Sequence, residues 1–225
     1  MRPRGSYTGG MGIYNYPHTI ENGAGERITF VRRVQDPSGD RLEVENLVKP
    51  GSGPPMHVHY YQEEALTVRQ GRIGYQRVGE PPRYASPGET VVFEAGEAHR
   101  FWNAGEDDLL CTGYVQPADN VEYFLTAIYE SQRESGGSRP DPFETAFLMR
   151  RYRSEFYMAE IPAVVQRVVF PVQVAVGRLL GKYKKYTPTR PNRSGGERYS
   201  EQLRNSALAP AQAIDASPPS SPSSR

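Results

Sequence analysis

The sequence predicts a mainly β protein, in which a sandwich or barrel of short strands is followed by C-terminal α-helices. Glycine (22) and proline (20) are frequent, a composition that favours short strands and turns over long helices. Short apolar stretches separated by turn signals recur over residues 27–116. Beyond them the apolar spacing changes to the period of a helix. With 225 residues, the chain has room for one sizeable domain and extensions.

The strand region follows an N-terminal segment of different character. Residues 1–26 are rich in Gly and Tyr and lack periodicity, so they are predicted to form an arm. In residues 42–47, apolar and polar side chains alternate, which is typical of a strand with one buried face. The other candidate strands are 28–31, 65–68, 73–78, 90–93 and 109–115.

Residues 117–186 are predicted to form a helical C-terminal extension. The apolar residues spaced at i, i+3, i+4 and i+7, as in an amphipathic helix, are Val121, Phe124, Leu125 and Ile128. A second helix is expected over 142–160, because a proline such as Pro142 is tolerated in the first turn. A third is expected over 162–181. Residues 187–225 have few large apolar side chains, so this tail is predicted to be disordered.

The cysteine content and the charge distribution bear on the cellular location of the protein and on the class of its binding partners. The single Cys111 excludes an internal disulfide framework, and no apolar stretch follows Arg2 and Arg4 to form a secretory signal. Both observations predict a cytoplasmic protein. Residues 1–140 carry 14 Lys and Arg against 19 Asp and Glu. Since the basic excess lies outside the strand region, a nucleic-acid partner is not expected.

Three of the four histidines lie in two compact blocks. On a strand, His57 and His59 point to the same side, and Glu64 follows on the next strand. His99 lies in the second block. Three imidazoles and one carboxylate suit one divalent transition-metal ion, among Fe, Mn, Ni, Co, Cu and Zn. Glu63 is the alternative carboxylate, and is expected to point outward if Glu64 is the ligand.

The two blocks resemble the two sequence motifs of the cupin superfamily. The residues that match the spacing of the first motif are Gly51, His57, His59, Glu64 and Gly71. Those that match the second are Gly88, Gly96, His99 and Asn103. Glu94 stands where the family usually has proline, a residue that mainly stiffens the turn. The resemblance spans residues 28–116, about half of the chain.

This resemblance implies a single cupin β-barrel (a double-stranded β-helix, or jelly roll) of the cupin type-2, single-domain kind. A metal ion at its centre would keep open coordination positions. Such proteins include dioxygenases, isomerases, decarboxylases, oxalate-degrading enzymes and non-catalytic binders. We therefore expect a dioxygenase-like oxidoreductase acting on a small organic substrate, in which Glu64 could also move protons. The alternative is a non-catalytic small-molecule binding or regulatory protein whose basic C-terminal helices dock to a membrane surface or a partner.

Side chains near these ligands are candidates for a substrate pocket. Leu66 and Val68 share a strand face with Glu64, and Phe101 shares one with His99. They would line an apolar cavity or form the barrel core. Tyr60, beside His59, would rim the pocket mouth or cover the barrel end.

The segment 161–185 has two alternative roles. Residues 161–181 include 13 Ile, Val, Leu, Phe or Ala, but Arg167, Arg178 and Pro171 argue against a membrane span. The segment would pack on the barrel or on a second subunit of a homodimer, or lie at a membrane surface. Packing on protein would bury most of five residues, which are Val164, Val165, Val168, Val172 and Leu179.

Overall fold

The computed structural model describes residues 14–137 and 139–186. Within them, ten strands come first and the helices follow, as predicted, except that a short eleventh strand lies between the second and third helices. The strands are β1 His18–Glu21, β2 Glu26–Val34, β3 Arg41–Val48, β4 His57–His59, β5 Glu63–Gln70, β6 Ile73–Arg77, β7 Arg83–Ala85, β8 Thr90–Phe93, β9 Ala98–Asn103, β10 Leu109–Gln116 and β11 Phe156–Met158. The helices are α1 Val121–Glu134, α2 Pro142–Arg151 and α3 Phe170–Leu179, the last preceded by a π-helical turn, Val165–Val169. The predicted disordered tail, 187–225, and residues 1–13 of the arm lie outside the described residues.

The strands form two antiparallel sheets that pack face to face. One has the order β1-β2-β3-β10-β5-β8 and the other β11-β4-β9-β6-β7. Their inner faces share a core, in which Leu66 of the first sheet and Phe101 of the second belong to one buried cluster. A mainly β barrel followed by C-terminal helices is therefore confirmed. All six strands predicted from apolar spacing are present as β2, β3, β5, β6, β8 and β10.

The N-terminal arm differs from its prediction because part of it is a strand. β1 pairs with β2, with Ile20 opposite Ile28. His18 of β1 is partly buried. Its ring lies 5.6 Å from that of Phe30, and its Nδ1 is 3.2 Å from Oε1 of the buried Glu122 on α1. The arm thus joins the sheet to the first helix.

The second predicted helix is shorter than expected. Asp141 caps its N-terminus by accepting hydrogen bonds from the backbone N–H groups of Phe143 and Glu144, but α2 ends at Arg151 rather than at residue 160. The chain then turns inward because Glu155, fully buried, accepts hydrogen bonds from the backbone and side-chain nitrogens of Asn120 at the start of α1. The next three residues form β11 instead of continuing the helix.

The third helical segment packs on the body of the protein by one side only. Phe170 and Val174 are buried in the cluster that includes α1 and α2. Packing on protein was expected to bury most of five apolar residues of this segment, which is wrong for the single chain. Val165 is partly buried, and the four exposed residues are Val164 (63%), Val168 (59%), Val172 (61%) and Leu179 (89%). No helix in residues 14–137 and 139–186 has the length and apolar character needed to cross a bilayer.

Candidate metal centre

Two neighbouring strands of one sheet and one strand of the other bring the predicted donors together. His57 of β4 pairs directly with His99 of β9, and both His57 and His59 point to the inner face. Glu64 lies on β5 of the opposite sheet. The donor atoms of these four residues all lie within 4.8 Å of one another. Glu63 instead points outward, where its carboxylate accepts a hydrogen bond from Tyr114.

Most of this cluster is closed to solvent. His59, Glu64 and His99 are buried, whereas His57 is partly exposed. Oε2 of Glu64 lies 3.3 Å from Nε2 of His99 and 3.7 Å from Nε2 of His59. The exposed edge of His57 therefore marks the side from which solvent reaches the cluster.

Backbone carbonyls fix the orientation of two imidazoles. Nδ1 of His57 lies 2.8 Å from the carbonyl oxygen of Pro55, and Nδ1 of His99 lies 2.9 Å from that of Glu97. A carbonyl oxygen only accepts, so each Nδ1 carries a proton and each Nε2 is left to face the cluster. Imidazoles that bind metals are commonly oriented in this way.

The burial of the cluster sets the protonation of its members. Burial, followed by the proximity of His99, lowers the pKa of His57 to about 4. Burial, followed by the proximity of His57, lowers the pKa of His59 to about 3. For Glu64, burial alone would raise the pKa, but a hydrogen bond to His99 and the nearby imidazoles outweigh it and lower the pKa to about 2. At neutral pH, His57 and His59 are therefore neutral and Glu64 is ionised, which are the forms that bind metals.

The donor set fits a transition-metal ion. An ion bound at about 2.1 Å from each donor requires donor pairs about 3.0 to 4.2 Å apart. The separations of 3.3 and 3.7 Å from Glu64 lie in this range, and the 4.8 Å limit on the widest pair requires a shift of about half an ångström. Nδ1 of His59 is buried without a hydrogen-bond partner among the described residues.

The comparisons with known proteins agree with this geometry. Residues 45–112 match the protein-family model of the cupin domain. The chain carries a cupin domain. Two curated fungal proteins are similar to it: the probable oxidoreductase virH of Hypocrea virens, 36% identical over 74 residues, and the oxidoreductase iacF of Pestalotiopsis fici, 28% identical over 102 residues. These matches cover 32% and 41% of this chain, and 34% and 50% of the relatives, so the chain spans half of their length or less.

Solved structures with a similar fold include two bacterial proteins. One is an uncharacterized protein with a double-stranded β-helix domain from Klebsiella pneumoniae, at 19% identity and a TM-score of 0.37, covering 47% of this chain and 83% of that one. The other is KdgF from Halomonas sp., at 22% identity and a TM-score of 0.37, covering 43% of this chain and 85% of that one.

Two details of the second cupin motif hold the cluster in place. The backbone N–H of Gly96, which has φ of 87°, donates to the carbonyl oxygen of His59 at 2.7 Å, so the turn is tied to the histidine strand. Glu94, in the position of the usual proline, donates its backbone N–H to Oε2 of Glu97 at 2.9 Å. A proline could not make this bond, and the Glu97 carboxylate fixes the turn instead.

The C-terminal extension also contacts the cupin domain at the cluster. β11 pairs with β4, which places Phe156 opposite His59. The two rings meet edge to face, with centroids 5.3 Å apart. The extension is thus part of the sheet that carries all three histidines of the cluster. The sequence pattern did not indicate this strand, because the three residues of β11 follow directly on a helical pattern.

The proposed pocket residues lie mainly in the core. Leu66 and Val68 have no exposed surface and Phe101 is 5% exposed, all in one apolar cluster of the cupin domain. Tyr60 is partly exposed, and its backbone N–H donates to the carbonyl oxygen of Glu155. Their contribution to a substrate pocket stays a prediction.

Polar residues inside the barrel were missed by the sequence analysis. Glu26 on β2 accepts a hydrogen bond from Nδ2 of Asn22 at 2.7 Å and is also bonded to Tyr129 of α1. Burial raises the pKa of its carboxyl to about 7, and the charge of Glu64 contributes. Asn46, 6% exposed, has an Oδ1 with no partner among the described residues. Asn46 alternates with Val44 and Val48, which both point into the core, and this alternation could have predicted that Asn46 is buried.

Proposed function

We propose that the protein binds one divalent transition-metal ion through His57, His59, Glu64 and His99 and acts as a metal-dependent oxidoreductase. The observation that carries this proposal is the convergence of the four donor atoms, which all lie within 4.8 Å of one another. Nδ1 of His99 faces a backbone carbonyl, so its Nε2 is directed at Oε2 of Glu64, 3.3 Å away. One divalent ion between the three imidazoles and the carboxylate would satisfy all four donors.

The bound ion would orient a small organic substrate and act as a Lewis acid or activate oxygen. The residues of the chain have separate roles. The four donors leave two positions open on a six-coordinate ion, and the partly exposed side of His57 is where a substrate would enter. Glu64, ionised at neutral pH, is the group in contact with the ion that could accept a proton.

The names of the two similar fungal proteins, both called oxidoreductases, support the class of reaction. A dioxygenase-like reaction is the specific form that we propose, because an ion with open positions next to a histidine and carboxylate set suits oxygen chemistry.

The burial of Leu66, Val68 and Phe101 favours a second candidate, a metal-containing small-molecule binding or regulatory protein. A barrel filled by its own side chains leaves less room for a substrate.

Metal analysis and substrate screening separate these candidates. Protein purified without added metal should contain one equivalent of a single transition metal, and His99→Ala should contain little. Loaded protein is then screened against small organic compounds with oxygen uptake as the readout. Turnover that is lost in His99→Ala supports the oxidoreductase. Metal without turnover, together with saturable binding of a compound, supports the binding protein, and turnover that persists without metal contradicts both.

A further inference from the structure

The third helical segment presents an apolar stripe to solvent. Among the described residues, seven of the eleven exposed large hydrophobic side chains lie between residues 164 and 180. They are Val164 (63% exposed), Val168 (59%), Val169 (43%), Val172 (61%), Val176 (41%), Leu179 (89%) and Leu180 (63%). Four of them are spaced at intervals of four residues, so they lie along one side of the helical segment. Contiguous apolar surface of this kind marks an interaction site.

The opposite side of the same segment anchors it to the protein. Phe170, Val174 and Gly177 are buried, and the hydroxyl of Tyr183 is 3.2 Å from the carbonyl oxygen of Phe143 on α2. Lys182 and Lys185 form ion pairs with Asp141 and with Glu134 and Glu144. The helical segment is therefore fixed to the protein with its apolar stripe facing solvent.

The charge around the stripe identifies its partner. Residues 161–186 contain five Lys or Arg and no Asp or Glu. Arg167 and Arg178 are exposed beside Val168 and Leu179. Among the described residues, the ion pairs of this segment are made by Lys182 and Lys185, and not by Arg167, Arg178 or Lys184. If two copies met through this stripe, arginines would face arginines with no acidic residue to compensate, and like charges oppose such contact. An anionic surface that also accepts apolar side chains complements the stripe.

We propose that residues 164–180 dock the protein onto the surface of a bilayer that contains anionic lipids. The valines and leucines enter the boundary between head groups and acyl chains while the arginines extend their charged ends toward the phosphates. The helix lies in the plane of the surface and does not cross it. The four donors of the candidate metal cluster lie on β4, β5 and β9 and are not part of the docking segment.

Flotation with lipid vesicles tests this proposal on the full chain. Wild-type protein should float with vesicles of phosphatidylcholine and phosphatidylserine, and much less with phosphatidylcholine alone. The variant Val168→Ser/Val172→Ser/Leu179→Ser should bind about tenfold more weakly, while its circular dichroism and metal content stay unchanged because these side chains are exposed. Val78→Ser, an exposed valine (60%) of the barrel, is the matched control and should bind as the wild type does.

A second variant tests the charge. Arg167→Gln/Arg178→Gln should lose the preference for phosphatidylserine and the sensitivity to salt. Equal flotation of wild type with both kinds of vesicle, or undiminished flotation of the triple serine variant, would overturn the proposal. So would light scattering that shows a dimeric wild type and a monomeric serine variant, since the stripe would then be the interface of the predicted homodimer.

Discussion

Phe156, from the C-terminal extension, lies edge to face against the ring of His59, 5.3 Å away between centroids. On its other side it stacks on Phe124 of α1, at 4.7 Å. The ring therefore connects the helices with the histidine strand. Because His59 has no hydrogen-bond partner for its Nδ1 among the described residues, this apolar contact helps to fix its orientation, together with the neighbouring rings of His57 and His99.

The replacement Phe156→Ala should therefore affect stability and metal binding together. Loss of the buried ring is expected to lower the free energy of unfolding by about 3 to 5 kcal/mol, and a freer His59 should bind metal more weakly. Chemical denaturation and competition with a chelator measure the two effects. Phe156→Leu, which keeps most of the volume, is the control. If Phe156→Ala binds metal as tightly as the wild type, Phe156 does not position His59.

Removing one metal ligand should show how much of the thermal stability of the protein comes from the bound metal and how much from side-chain packing. The variant His59→Ala should hold little metal, so its melting temperature should not change when a chelator is added. The wild type should be stabilised by metal, because an ion that binds only the native state raises stability. His18→Ala is the matched control: it removes the contact with Glu122 on α1 but should keep the metal content. Full metal content in His59→Ala would contradict the assigned site.

The buried carboxyl of Glu26 should make stability depend on pH. Its pKa is raised from 4.5 to about 7 in the native chain, so the native state holds a proton that the unfolded state has released. This proton adds roughly 3 kcal/mol to the free energy of unfolding. The added stability is fully present below pH 4.5 and disappears as the pH rises through 7. His57 and His59 have the opposite effect, since their lowered pKa values favour the native state as pH rises.

A difference between variants isolates this contribution. The free energy of unfolding of the metal-free wild type, minus that of Glu26→Gln, should decrease between pH 4.5 and pH 7. Glu45→Gln, an exposed residue on β3, controls for the loss of a charge and should give a constant difference. A constant difference for Glu26→Gln as well would show that folding does not raise the pKa of this carboxyl.

Asn103 should matter for stability and not for metal binding. Its side-chain nitrogen donates to the carbonyl oxygens of Val48 and Asp107, at 2.7 and 2.8 Å, and its oxygen accepts from the backbone of Gly105 at 2.8 Å. The variant Asn103→Ala leaves these buried groups without partners, which should lower the free energy of unfolding by about 3 kcal/mol. Metal content of the folded variant should stay at one equivalent, and its loss would assign Asn103 to the metal site.

Asn46→Leu, which removes a buried amide with an unpaired oxygen, should leave the free energy of unfolding unchanged or raise it.

The sequence by itself determined six strands of the barrel, the first helix and the members of the candidate metal cluster. Alternation puts His57 and His59 on one face, and the motif spacing selects Glu64 over Glu63. These features are local, since a period of two or of 3.6 residues is a property of the chain segment.

The tertiary structure decided what depends on residues distant in sequence. The end of α2 depends on Glu155 meeting the start of α1, and β11 exists because Phe156 pairs with β4, about a hundred residues earlier. The raised pKa of Glu26 comes from burial that only the closed barrel creates. Periodicity revealed the apolar side of residues 164–180, but only the fold decided that protein covers Phe170 and leaves Val172 in solvent, since burial depends on what lies opposite each side chain.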